Sequence, residues 1–191
     1  MKVWFKQYDF RLGSGKLLIS EPFLADPNFR KTVILLCEHE EEGSVGFVLN
    51  RMANFCTDEI IPGLLKFNFP IFYGGPVEEN SLHFIHTCGN EIPHSLHIGN
   101  GLFWGGELEA INHLITEGKA LPQNFKFFIG YSGWGVGQLE SEIEQKAWWL
   151  DKLNTNIAIS SEWGQIWPLA VKNLGQDFAY LANAPEDFLW N

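Results

Sequence analysis

Short apolar runs alternate with breaks rich in glycine, proline and acidic residues along most of this chain, and helical periodicity is confined to three stretches. Residues 32–38, TVILLCE, are β-branched and apolar almost throughout, the pattern of a strand buried on both faces. Residues 44–50, SVGFVLN, follow after the five-residue break HEEEG, so the pair predicts a hairpin with Glu40, Glu41 and Glu42 at its solvated tip. Further strands are expected at 17–19, 71–77, 81–88, 125–129 and 156–160. Helices are expected over 105–119, where Leu108, Ile111, Leu114 and Ile115 share a face, and over 138–150, with Leu139, Ile143, Ala147 and Leu150 inward. A third helix spans 163–175, with Pro168 in its first turn and Gly175 at its stop. Residues 52–70 give no clear pattern beyond a helix start at Thr57-Asp58-Glu59. The expected fold is one compact α/β (α+β) domain: a mixed, largely antiparallel sheet flanked by helices. Residues 1–14 read as a leader that packs through Trp4, Phe5, Tyr8 and Phe10, and 176–191 as a tail whose Phe178, Leu181, Phe188 and Trp190 pack on the body.

The most unusual stretch is 127–150, FFIGYSGWGVGQLESEIEQKAWWL, in which a strand reaches a helix through Gly130, Gly133, Gly135 and Gly137. Glycines this dense indicate positive φ or close approach of a neighbouring backbone. Strand, Ser132, helix is the order of a nucleophile elbow, but that elbow needs a small residue two positions on, and here Trp134 stands. The turn GWGVG is also too long. A phosphate cradle at the helix start is opposed by Glu140, Glu142 and Glu144, which already complement the positive helix end. The glycines therefore read first as an architectural joint with Trp134 as a plug, and second as a surface where Tyr131 and Trp134 meet an uncharged ligand or a protein. Gly74-Gly75-Pro76 forms a second glycine break, and Asn50-Arg51 ends the hairpin's second strand. Arg51 could hold an anion, although an arginine leaving a strand more often pairs with a carboxylate. The candidate ligand- or partner-binding residues are thus Asn50, Arg51, Gly74, Gly75, Pro76, Gly130, Tyr131, Gly133, Trp134 and Gly135. No catalytic residue is nominated.

Charge narrows the partners. A formal net charge of −10 with only 13 Lys plus Arg lacks the basic footprint of a nucleic-acid binder. No direct nucleic-acid contact is expected, and the partner class left is a protein or a small ligand. Apolar residues at 46% and charged residues at 19% mark a globular chain. No stretch approaches the ~20 apolar residues of a membrane span and no signal-peptide pattern opens the chain, so a soluble cytoplasmic protein without membrane contact is expected. Cys37, Cys56 and Cys88 are expected as reduced thiols. His83, His86 and Cys88 lie close in sequence, but strand alternation leaves only His86 and Cys88 on one face, too few ligands for zinc. No metal and no cofactor is expected. GSGK at 13–16 lacks the earlier glycine and the following Ser or Thr of a phosphate loop.

Three segments carry a family resemblance: GKLLISEPFLADPNFRKTVILLCEHEEEGSVGFVLNR (15–51), FYGGPVEENSLHFIHT (72–87) and FIGYSGWGVGQLESEIEQKAWWL (128–150). On these the chain resembles the AlgH/YqgE-like family of bacterial proteins, whose biochemical function is undetermined. The resemblance implies a mixed sheet flanked by helices and a cytosolic bacterial protein. Some members carry the label transcriptional regulator, from genetic association with alginate production. The family offers no catalytic residues to transfer, and its motif usually has Ala where this chain has Ser132. The combined expectation is a non-enzymatic binding or regulatory module. The alternatives are an enzyme using a pocket near the glycine loops, or a transcriptional regulator without direct DNA contact.

Overall fold

The computed structural model describes residues 11–183. The packing expected of Trp4, Phe5, Tyr8 and Phe10, and of Phe188 and Trp190, lies outside the described residues. The elements run β1 (Lys16–Ser20), β2 (Val33–Glu40), β3 (Gly43–Val48), β4 (Met52–Cys56), α1 (Thr57–Ile60), β5 (Pro70–Tyr73), β6 (Val77–His86), β7 (Leu96–Gly99) and β8 (Leu102–Trp104). They continue with α2 (Leu108–Thr116), β9 (Phe125–Gly135), α3 (Gln138–Glu144), β10 (Trp148–Lys152), α4 (Thr155–Ile159), α5 (Trp163–Asn173) and α6 (Gln176–Ala179). The strands form one sheet in the order β10-β1-β2-β3-β9-β6-β8-β7, with β4 and β5 attached at β9. All the pairings are antiparallel except β5 with β9, which is parallel. The mixed, largely antiparallel sheet is as expected.

Both faces of the sheet are buried, as the apolar runs require. Leu17, Ile19, Val33, Leu35, Phe47 and Leu49 face one core, closed by Ile166, Trp167, Ala170 and Val171 of α5. Their neighbours Leu18, Ile34, Leu36 and Val48 face a second core with Trp134, Leu139 and Trp148. A third core joins Ile71, Phe84, Phe125 and Phe127 to Ile111 and Leu114 of α2. The sheet curls until its far ends meet: Asn100 Nδ2 donates to the Leu153 carbonyl at 3.1 Å, and Ser14 Oγ to the Ile98 carbonyl at 3.3 Å.

The organising strand is β9. Its first part pairs with β5 on one edge and β6 on the other, and beyond Gly130 the place of β5 is taken by β3. The chain passes from β5 to β6 in only three residues, Gly74-Gly75-Pro76, and must therefore cross over β9. Strands lie ~4.8 Å apart, so the two flanking strands are roughly 10 Å apart and the connection has almost no slack. Backbone rests on backbone at the crossing. A Cβ at Gly74 would come well inside 3.0 Å of the Gly130 carbonyl oxygen, and one at Gly75 equally close to the backbone of Tyr131 and Ser132. Hydrogen bonds fix the contact: Gly74 N–H donates to the Ile129 carbonyl (2.9 Å), while Val48 N–H and the buried Ser132 hydroxyl both donate to the Gly74 carbonyl (2.9 Å each).

Several expected elements change. The glycine stretch GYSGWG is strand, not turn, because β3 and β6 supply hydrogen-bond partners along it, and Gly130 absorbs the bend at φ 65°. The helix expected over 138–150 stops at Glu144; Lys146 turns left-handed (φ 65°) and residues 148–152 pair with β1. Its predicted stripe of Leu139, Ile143, Ala147 and Leu150 still packs into one core. Residues 156–160 form helix rather than strand, because Asn154 Oδ1 caps the amides of Asn156 (3.1 Å) and Ile157 (3.3 Å). Pro168 sits inside α5 and not in its first turn, so the bond to the Gly164 carbonyl is missing there. The tip of the first hairpin is Glu41-Glu42 alone, since β2 runs on through Glu40.

Two polar groups, the half-buried Glu142 and the buried Lys126, tie the layers together. Glu142 turns inward: Oε2 accepts from Trp134 Nε1 (3.0 Å) and Trp148 Nε1 (2.7 Å), and Oε1 from Gln138 Nε2 (2.9 Å). Lys126, 3% exposed on β9, donates from Nζ to the Ser160 carbonyl at 3.0 Å and lies 4.2 Å over the Phe72 ring. Burial lowers its pKa to about 7.

Replacing Glu142 by Ala leaves two buried indole N–H groups unpaired and should cost roughly 2–4 kcal/mol in urea unfolding; a loss below about 1 kcal/mol would contradict the clamp. Lys126 carries a pH signature of definite sign. Its folded pKa lies below the unfolded one, so between about pH 7 and 10.5 the unfolded chain holds the extra proton, and stability rises with pH across that window. Wild type should gain on the order of 2–4 kcal/mol over Lys126→Met between pH 7 and 10. Parallel pH profiles of the two proteins would show the amine to be solvated.

Candidate functional site

The loop of residues 25–31 is built on one turn. Asp26 Oδ1 accepts the Asn28 amide (2.8 Å), and its carbonyl accepts those of Phe29 (3.1 Å) and Arg30 (3.0 Å). Phe29 then packs its ring against Trp134 and Trp148, and Asn50 fastens the end of the loop. Asn50 Nδ2 donates to the Lys31 carbonyl (2.9 Å) and its Oδ1 accepts the Val33 amide (3.0 Å). Between this loop and the β5–β6 crossing lies a groove of about 190 Å³. Pro27, Val48, Gly75 and Pro76 form its apolar walls; Asn28, Arg51, Tyr73 and Glu79 bring polar groups.

Arg51 is the fixed cation of this groove. Nη2 donates to the carbonyls of Arg30 (2.8 Å) and Pro27 (3.2 Å), which commits both of its hydrogens. Among the described residues no carboxylate pairs with it, and Nε and Nη1 have no partner. The sequence pattern favoured a carboxylate partner; backbone carbonyls of the 25–31 loop take that role instead. Tyr73 presents a half-exposed ring, held edge-on against Phe55 at 6.0 Å, and its amide donates to the Arg51 carbonyl at 2.7 Å.

The ten residues singled out in the sequence separate into two groups. Arg51, Gly75 and Pro76 line the groove. Gly74 and Gly130 are buried in the crossing, Trp134 is a core side chain bound to Glu142, and the Asn50 amide is consumed by backbone. Tyr131 is half-buried beside His83, and Gly133 and Gly135 are exposed on the last part of β9. Asn28, Tyr73 and Glu79 were missed. In the sequence Asp26-Pro27-Asn28 is simply turn chemistry, and nothing local signals that it faces the end of β5.

Other clusters have structural occupations. Ser81 Oγ lies 2.8 Å from His83 Nε2, but its single proton goes to the Glu78 carbonyl (2.8 Å), so the imidazole donates to the serine and is not its base. Ser44 lies 2.8 Å from His39 Nδ1, yet it is 5% exposed within β3, and Glu140 stands 3.7 Å from the far nitrogen, beyond hydrogen-bond reach. Burial pushes the Cys37 thiol well up and that of Cys88 up to about 11, so neither is a ready thiolate. His83 and His86 face opposite sides of β6, as alternation requires. Burial lowers the pKa of His86 to about 4, against a smaller opposing effect of the Gly105 backbone, and among the described residues its Nε2 has no hydrogen-bond partner. A wider hollow of about 420 Å³ along residues 151–156 is lined by groups already in use. Asn154 caps α4, Thr155 donates to the Asn100 carbonyl (3.0 Å) and Asp151 accepts from the Lys152 amide (2.8 Å). Among the described residues no helix is long and apolar enough to cross a membrane.

Comparison with known proteins agrees with this architecture. Residues 17–179 match the model of the AlgH-like family. The UPF0301 protein CT0663 of Chlorobaculum tepidum is 40% identical, the alignment covering 92% of this chain and 94% of that protein. A UPF0301 protein of Chlorobium luteolum is 39% identical over 95% of this chain and 96% of its own length. The crystal structure of protein DIP2367 from Corynebacterium diphtheriae superposes with a TM-score of 0.78 at 20% identity, covering 91% of this chain and 93% of that one. The solution structure of the AlgH protein from Pseudomonas aeruginosa gives 0.69 at 27% identity, covering 91% and 95%. With the family model spanning nearly all of the described residues, this chain belongs to the AlgH-like family.

Proposed function

We propose that this protein is a non-enzymatic binding module of the cytoplasm, with a regulatory role exerted through a small ligand or a protein partner held at the Arg51 groove. The observation that carries this reading is an arginine fixed by two backbone carbonyls, without a counter-carboxylate among the described residues, at the wall of a groove. A guanidinium fixed in advance loses little freedom when a ligand arrives, so its remaining N–H groups favour binding. The crossing makes the opposite wall equally rigid. Catalysis has less support, because the serine–histidine contacts are wrongly protonated or buried. The regulator label of the family fits a module acting through a partner, since a net charge of −10 disfavours direct contact with DNA.

A fragment library titrated into ¹⁵N-labelled full-length protein tests this. Binders should perturb the amides of Asn28, Val48, Arg51, Tyr73 and Gly75 together, and Arg51→Met should weaken them about tenfold. Perturbations that map only elsewhere, or that survive Arg51→Met unchanged, would contradict the assignment.

A further inference from the structure

The groove holds two opposite charges that do not meet. Arg51 and Glu79 both line it, yet they form no ion pair with each other, and the Glu79 carboxylate has no hydrogen-bond or ion-pair partner among the described residues. An exposed arginine and an exposed glutamate lining one groove would ordinarily pair or turn to water. Here Arg51 is held back by the Pro27 and Arg30 carbonyls. Glu79 sits in the irregular start of β6, where register is lost between Val77 and Leu82 and Glu78 adopts φ 47°.

We infer that the groove takes a small zwitterion, an α-amino acid with an apolar side chain, its carboxylate on Arg51 and its ammonium on Glu79. This rests on the groove being the binding surface of the protein. A simple anion would bring its charge against Glu79, and a simple cation against Arg51; only a molecule carrying both signs satisfies both. The net charge of −10 works further against phosphates and other multiply charged anions. Size sets the second limit. Sites for drug-sized ligands span roughly 300–1,000 Å³, whereas this groove of about 190 Å³ suits a molecule no larger than a single amino acid. The remaining lining is apolar: the Tyr73 ring, Val48, Pro27 and Pro76. An aliphatic or aromatic side chain would rest there. Because both Nη2 hydrogens are already committed, no bidentate fork is left, and the carboxylate is received by a single free N–H, on Nη1 or on Nε, without disturbing the loop.

The test is an NMR titration of the full chain with L-leucine, 4-methylvalerate, which lacks the amine, and 3-methylbutylamine, which lacks the carboxylate. L-Leucine should shift the amides of Asn28, Arg51, Tyr73 and Gly75 saturably, and the two half-ligands should bind at least about tenfold more weakly. Glu79→Gln, an exposed and structurally mild change, should reduce leucine affinity about tenfold while leaving 4-methylvalerate, freed of the repulsion, no weaker and if anything tighter. Arg51→Met should weaken both about tenfold or more, its fold being checked by the unchanged remainder of the spectrum. Equal binding of leucine and 4-methylvalerate, or insensitivity of leucine to Glu79→Gln, would overturn the zwitterion. If other fragments fill the groove and leucine does not, this inference falls while the binding-module reading stands. If nothing perturbs the groove, both fall.

Discussion

The rest of this structure depends on one contact between backbones. The connection from β5 to β6 must straddle β9 with three residues, and it can do so only because Gly74, Gly75 and Gly130 carry no Cβ where the two backbones meet. Gly74 and Gly75 meet Gly130, Tyr131 and Ser132 there, and the Gly74 carbonyl gathers a strand amide from Val48 and the Ser132 hydroxyl. Hydrophobic burial supplies most of the driving force for folding, but it does not say which strands lie beside which. The crossing does: it hands one edge of β9 from β5 to β3 and so joins the two halves of the sheet.

From that junction the candidate site follows. Val48, at the end of β3, is bonded to Gly74, so its side chain, Gly75 and Pro76 form one wall of the groove. The other wall is the 25–31 loop, pinned by Asn50 from within and by Phe29 against the two tryptophans that Glu142 holds. Arg51 leaves β3 immediately after Asn50 and is caught by the carbonyls of that loop. Rigid walls on both sides make a shallow groove a credible receptor, since little ordering is left to the ligand.

Much of this was legible in the sequence, and the failures are physical ones. Strands buried on both faces, such as β2, announce themselves as unbroken β-branched runs, and α2 shows its stripe plainly. The glycine segments were recognised as places of close backbone approach, but not that they approach each other, because nothing local encodes a partner 55 residues away. GYSGWG was read as a turn since glycine is a poor strand former, and ladder bonds on both edges outweigh that preference. At 156–160 the cause is local: one capping asparagine, Asn154, decides for helix over strand. Arg51 was found by its position at a strand end. Its partners in the 25–31 loop and its neighbours Tyr73 and Glu79 are products of the tertiary fold alone.

Native-state hydrogen exchange at the crossing tests the central claim most directly. If the straddling connection organises the sheet, the Gly74 and Val48 amides cannot open without losing both halves of β9, and they should exchange only through global unfolding, with the same free energy as the Phe127 and Phe128 amides. Exchange of Gly74 and Val48 through a local opening several kcal/mol below the global value, on the order of the lower range seen for loops, would show that the connection merely rests on the sheet.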